Sequence, residues 1–117
     1  MPTALNLLVI KSRDIEKLAD FYGALGLHFS RHRHANGPEH FAAELDGSVF
    51  EIYPLKESDT PTDSVRLGFK VDSLEAAVGE LKSRGATLLR SPQNSPWGRR
   101  AVMKDIDGHT VELLAAV

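Results

Sequence analysis

Asp105-Ile106-Asp107-Gly108-His109-Thr110-Val111-Glu112-Leu113-Leu114 is the stretch whose reading decides the fold. Asp-Gly between two strand-like runs signals a tight hairpin, and Glu112 stands five residues beyond Asp107. The same device occurs earlier. In Asp46-Gly47-Ser48-Val49-Phe50-Glu51-Ile52-Tyr53, Glu51 stands five residues beyond Asp46. Two hairpins that each deliver one glutamate imply two copies of one unit.

Working outward, each hairpin is preceded by the same order of elements. Ala4 to Ile10 has strand composition, with Asn6, Leu8 and Ile10 on one face and Leu7 and Val9 on the other. Asp14 is suited to cap a helix whose apolar stripe is Ile15, Leu18, Ala19, Tyr22 and Leu25, and Gly26 supplies the stop. Leu27 to His34 reads as a strand, Asn36-Gly37-Pro38 as a turn, and His40 to Leu45 as a strand with His40, Ala42 and Glu44 on one side. The strand after Asp46-Gly47 carries Val49, Glu51 and Tyr53 on one face and Phe50 and Ile52 on the other.

Lys56 to Ser64 has no apolar periodicity and reads as a linker, after which the pattern restarts. Val65 to Val71 is the strand, with Leu67, Phe69 and Val71 apolar and Arg66, Gly68 and Lys70 opposite. Asp72 with Glu75 predicts a capped helix carrying Leu74, Ala77, Val78 and Leu81, ended by Gly85. Ala86 to Arg90 reads as a strand, Ser91 to Pro96 as a loop and Trp97 to Asp105 as the strand that enters the deciding hairpin. The helix caps are 58 residues apart, the helix-ending glycines 59 and the hairpin glutamates 61, so the repeats differ only by loop insertions. Neither unit can bury its sheet face alone, and the two are expected to pair as one α+β domain, module one about 1–57 and module two about 64–117.

At 117 residues the chain fits one domain. A net charge of −2, with 14 Lys+Arg against 16 Asp+Glu, gives no pull toward nucleic acid, so a small-molecule ligand is the expected partner. Zero cysteines exclude disulfides and thiolate sites and fit a reducing compartment. The apolar run Leu5 to Ile10 is too short to span a bilayer, and no basic segment precedes a signal-like stretch. A cytoplasmic protein without a membrane partner is expected.

Four segments together resemble the vicinal oxygen chelate superfamily, the glyoxalase, bleomycin-resistance and extradiol-dioxygenase group. They are Asp14 followed by Phe21-Tyr22 and Leu25-Gly26-Leu27; Val71-Asp72; Trp97-Gly98-Arg99; and Asp105-Ile106-Asp107-Gly108 running to Val111-Glu112-Leu113. Ile106 stands where the family pattern usually has proline. The resemblance covers essentially the whole chain. It implies two paired βαβββ modules whose curved mixed sheets form a cleft, with helices on the convex face, and commonly a homodimer. Metal-dependent relatives carry ligands on the first and last strand of each module, places that fall here on Asn6, Glu51, Arg66 and Glu112. The two glutamates match that ligand set, whereas the two usual histidines are replaced.

The candidate site follows. Glu51 and Glu112 suit a divalent cation or a general base, and with His40 they form the ligand set if a metal is present. The preferred reading is a metal-free cleft with no cofactor, in which Arg66 is the resident cation. His40 lies on the Glu51 side, placed to orient a ligand or shuttle a proton; a satisfied strand histidine is the plainer reading. Asn6, Tyr53, Arg66, Trp97, Arg99 and Met103 are read as ligand-binding, Trp97 alternatively as a loop anchor. The run Arg31-His32-Arg33-His34 puts His32 and His34 on one side; an edge strand explains it better than a metal site. His109 receives no role. The function expected is small-molecule binding or metal-free chemistry; the rivals are a metal-dependent lyase, isomerase or dioxygenase, and an antibiotic-sequestering resistance protein.

Overall fold

The computed structural model describes residues 2–117, which divide along the chain between Pro61 and Thr62 into two compact units. The first unit contains β1 (Leu7–Ser12), α1 (Ile15–Gly23), β2 (Phe29–His32), β3 (His40–Leu45) and β4 (Ser48–Pro54). The second contains β5 (Arg66–Lys70), α2 (Leu74–Ser83), β6 (Thr87–Ser95), β7 (Gly98–Lys104) and β8 (Thr110–Ala115). Both are βαβββ modules of an α+β fold. Each has a four-stranded mixed sheet, ordered β1-β4-β3-β2 in the first unit and β5-β8-β7-β6 in the second, and the one parallel pair joins the first strand to the last.

One helix packs on each sheet and dries one face only. In the first unit Ile10, Ala43, Phe50 and Ile52 are buried, and Tyr22 of α1 meets Phe50 edge-to-face at 5.3 Å. Val49, Glu51 and Tyr53 alternate onto the opposite, open face. In the second unit Leu67, Ala101, Met103, Val111 and Leu113 are buried with Leu74, Val78 and Leu81 of α2, which leaves Arg66, Gly68 and Glu112 on the open side.

Three local expectations are corrected. Asp14 does cap α1, accepting from Lys17 N at 3.1 Å, but α2 is capped by Ser73 rather than Asp72. Ser73 reaches Ala76 N, and Glu75 turns instead to Arg99. The segment from Ser91 to Ser95 is strand, because β6 continues through two register shifts and closes on β7 by a two-residue turn at Pro96-Trp97. Gly98 opens β7 at φ 135°, where an added Cβ would stand 2.5 Å from the Ala115 carbonyl oxygen.

The third correction concerns the deciding hairpin. Asp46-Gly47 is a two-residue turn with positive φ at both positions, and it pairs Leu45 with Ser48. The later hairpin is instead a five-residue connection from Asp105 to His109. Asp105, 5% exposed, accepts from the backbone of Asp107 at 2.9 Å and of His109 at 3.0 Å and from His109 Nδ1 at 2.9 Å. His109, 1% exposed, extends the chain of bonds through Nε2 to Thr62 Oγ1 at 2.7 Å. It is a buried structural residue rather than a bystander of the turn. Asp105→Ala would leave these donors buried and unpaired, so urea denaturation is expected to show a loss of about 2–3 kcal/mol. A loss below about 1 kcal/mol would mean that the loop holds itself without this carboxylate.

Candidate functional site

The two open faces carry the candidate residues and differ in chemistry. In the second unit Glu112 stands on β8 between its neighbours β5 and β7, paired with Gly68 on one side and Val102 on the other. Arg66, two residues before Gly68, donates from Nε to Glu112 Oε2 at 2.6 Å. Arg100, two residues before Val102, donates from Nε to Glu112 Oε1. Both carboxylate oxygens are thus held by guanidinium groups from the two flanking strands. The Arg66 bond, joined by the Arg100 bond and both positive charges, outweighs partial burial and holds Glu112 below the usual carboxylate range.

Beside this clamp lies an open cavity of about 710 Å3 lined by Gly68, Phe69, Lys70, Trp97, Arg100, Glu112 and Leu114. Gly68 has open space where a Cβ would be, which keeps the ground in front of Glu112 clear. Trp97, 75% exposed at the tip of the β6-β7 turn, forms an aromatic wall. It is not a buried loop anchor.

In the first unit Glu51 pairs with Val9 of β1 and Ala42 of β3, and its open face bears imidazoles instead of guanidinium groups. His40, 1% exposed, stacks on Tyr53 at 4.1 Å between ring centroids and places Nε2 3.7 Å from Glu51 Oε2. Burial, and then the Glu51 charge, push the Tyr53 phenol above its ordinary value. A second cavity of about 600 Å3 opens here among His28, Ser30, His32, His34, Ala42, Glu44, Val49 and Glu51.

Three residues read from sequence as ligand-binding stand elsewhere. Asn6 precedes β1, is exposed, and shares the parity of the buried Ile10; its carbonyl accepts from Val49 N at 2.8 Å. Met103 is fully buried on the helix-covered face. Arg99 turns to the same side and pairs with Glu75 of α2 at 2.7 Å. Arg100, which sequence reading passed over, takes the place on the open face. A two-residue turn at Asp107-Gly108 would set Met103 opposite Glu112, whereas the five-residue loop sets Val102 there, and a one-residue shift exchanges the faces of the whole strand.

A family model described as Glyoxalase/Bleomycin resistance protein/Dioxygenase superfamily matches residues 4–113. The chain belongs to this superfamily. A protein of Mycolicibacterium smegmatis described as uncharacterized is 28% identical over 105 residues, which cover 89% of this chain and 86% of the relative. Among solved structures, TnmS3, an antibiotic binding protein from a Streptomyces species, is 25% identical with TM-score 0.74 and covers 99% of this chain and 98% of its own. A glyoxalase/bleomycin resistance protein/dioxygenase family enzyme from Burkholderia phytofirmans has TM-score 0.75 at 22% identity, covering 98% of this chain and 100% of its own, a likeness of fold.

The superfamily's metal does not fit the residues at its ligand positions here. Arg66 has no lone pair to offer, and Glu112 has both oxygens committed to guanidinium groups. Among the described residues no group of three or more histidine and carboxylate side chains is arranged to hold an ion.

The Glu112 clamp has a consequence for acid stability. Because its folded-state value is depressed, its contribution is complete above the ordinary value of 4.5 and is lost as pH falls through the folded-state value. Thermal unfolding between about pH 7 and pH 3 is expected to show a smaller acid-side drop in Tm for Glu112→Gln than for the parent. Equal drops in the two proteins would mean that the clamp adds nothing to stability.

Proposed function

We propose that this superfamily member binds a flat, largely apolar small molecule carrying an anionic or carbonyl group, in the cavity on the open face of the second unit, and needs no metal to do so. The observation that carries this reading is the Arg66–Glu112–Arg100 clamp beside an aromatic wall. Two guanidinium groups against one carboxylate, with Lys70 at the rim, leave the cavity positive. Trp97 and Leu114 supply apolar surface on which a ring system can stack. Binding is favoured over proton abstraction because a carboxylate held below its ordinary range is a weak general base. The likeness to an antibiotic binding protein favours sequestration as the form that binding takes.

Trp97 is the chain's single tryptophan, so its fluorescence reports on this cavity without labelling. In a screen of aromatic carboxylates and quinone-type antibiotics, a ligand should quench Trp97 saturably, be recovered chemically unchanged, and bind at least about tenfold more weakly to Arg100→Ala, the loss expected for one charge-assisted hydrogen bond. Gly68→Val should block the same ligand by filling the space in front of Glu112. Binding that survives both substitutions, or a ligand recovered as product, would overturn the reading.

We also propose that the protein works as a cytoplasmic homodimer. Leu5, Leu7 and Val9 are exposed apolar residues on or just before the edge strand β1, a surface that association with a second copy would cover, and the lack of cysteine suits a reducing compartment. Among the described residues no helix is long and apolar enough to cross a membrane. Light scattering should give twice the chain mass; a monomer mass across the working concentration range would contradict the dimer.

A further inference from the structure

The first unit holds a cluster of imidazoles that the reading above does not use. His32 of β2 and His40 of β3 are directly opposed across the strands, and His34 follows on the same side as His32. The ring centroids are 5.1 Å apart for His34 and His40, 6.0 Å for His32 and His40, and 6.2 Å for His32 and His34. Three imidazoles bound to one zinc at the usual Zn–N length hold their centroids about 5 Å apart, so these rings stand within about an ångström of that spacing.

His40 supplies a second, independent observation. Its Nδ1 lies 3.2 Å from the Pro38 carbonyl oxygen, and because a carbonyl can only accept, Nδ1 carries the hydrogen. The other nitrogen, Nε2, is then left with a lone pair. It is buried without a hydrogen-bond partner among the described residues, and the Glu51 carboxylate at 3.7 Å is too far to serve. A buried polar atom without a partner is costly, and such atoms call for an explanation. An imidazole fixed through Nδ1 to a backbone carbonyl, with the Nε2 lone pair left over, is the arrangement in which histidine is oriented as a metal ligand. Stacking on Tyr53 holds the ring from its other side.

We propose that His32, His34 and His40 form a binding site for a divalent transition metal, zinc or nickel, with Glu51 placed as the fourth donor. A set of imidazoles and one carboxylate, without thiolate, suits these ions. The donors do not yet converge on one point among the described residues. The ion therefore draws His32 and His34, both exposed, onto the fixed Nε2 of His40, by side-chain rotations that are fast at a surface. This site is distinct from the superfamily's ligand positions on the first and last strands, sharing only Glu51, and it stands or falls independently of ligand binding in the second unit.

Calorimetric titration of the tag-free full chain with zinc chloride alone tests it. The expected result is saturable binding of one zinc per chain, weakened at least tenfold in the double variant His32→Ala with His34→Ala, whose circular dichroism stays that of the parent because both positions are exposed. His40→Gln should lose binding to a similar degree; if that buried substitution fails to fold, the double variant alone decides. A parent that shows no saturable zinc binding up to millimolar concentration, or a folded double variant that binds zinc as tightly as the parent, would overturn the proposal.

Discussion

Each four-stranded sheet has a single helix to cover it, and that constraint governs the rest of the molecule. A strand presents alternate residues to opposite faces, so drying one face leaves the other open along its whole length. Ile10, Phe50 and Ile52 in the first unit, and Val111, Leu113 and Met103 in the second, are the residues that the helices dry. Glu51 and Glu112 are the residues that the same alternation turns outward. The candidate chemistry is thus confined to the faces that the core has no use for.

Given that constraint, a correct strand register amounts to a correct site, and legibility in the sequence followed this line. The helical stripes, the glycines that end them and the outward turn of Glu51 and Glu112 could all be read from periodicity. The turn at Asp46-Gly47 was legible because its two residues alone form it. The turn after β7 was not, because a carboxylate buried among backbone donors and linked to His109 and Thr62 forms a longer loop, and these long-range bonds leave no periodic trace. One residue of difference there exchanges the faces of Arg99 and Met103 with that of Arg100. Asn6 illustrates the same sensitivity at a strand end, where an adjacent position lies on the opposite face.

The two units keep one plan and diverge in what surrounds the repeated glutamate. Around Glu112, guanidinium groups from both flanking strands neutralise the carboxylate and leave a positive cavity with an aromatic wall. Around Glu51 there is no such clamp among the described residues; a buried imidazole stands just beyond hydrogen-bond range, and further histidines line the same open face. Equivalent positions in a repeat need not share a role, because the neighbours set whether a carboxylate is spent on a structural ion pair or left free to act.

The central claim is that Glu112 is spent, held ionised by Arg66 and Arg100. Its carboxyl carbon can be followed by NMR as pH is lowered, in the parent and in Arg66→Ala. The account predicts a midpoint below the ordinary value of 4.5 in the parent and a rise toward that value when Arg66 is removed. A parent midpoint at or above the ordinary value, unmoved by loss of Arg66, would contradict it.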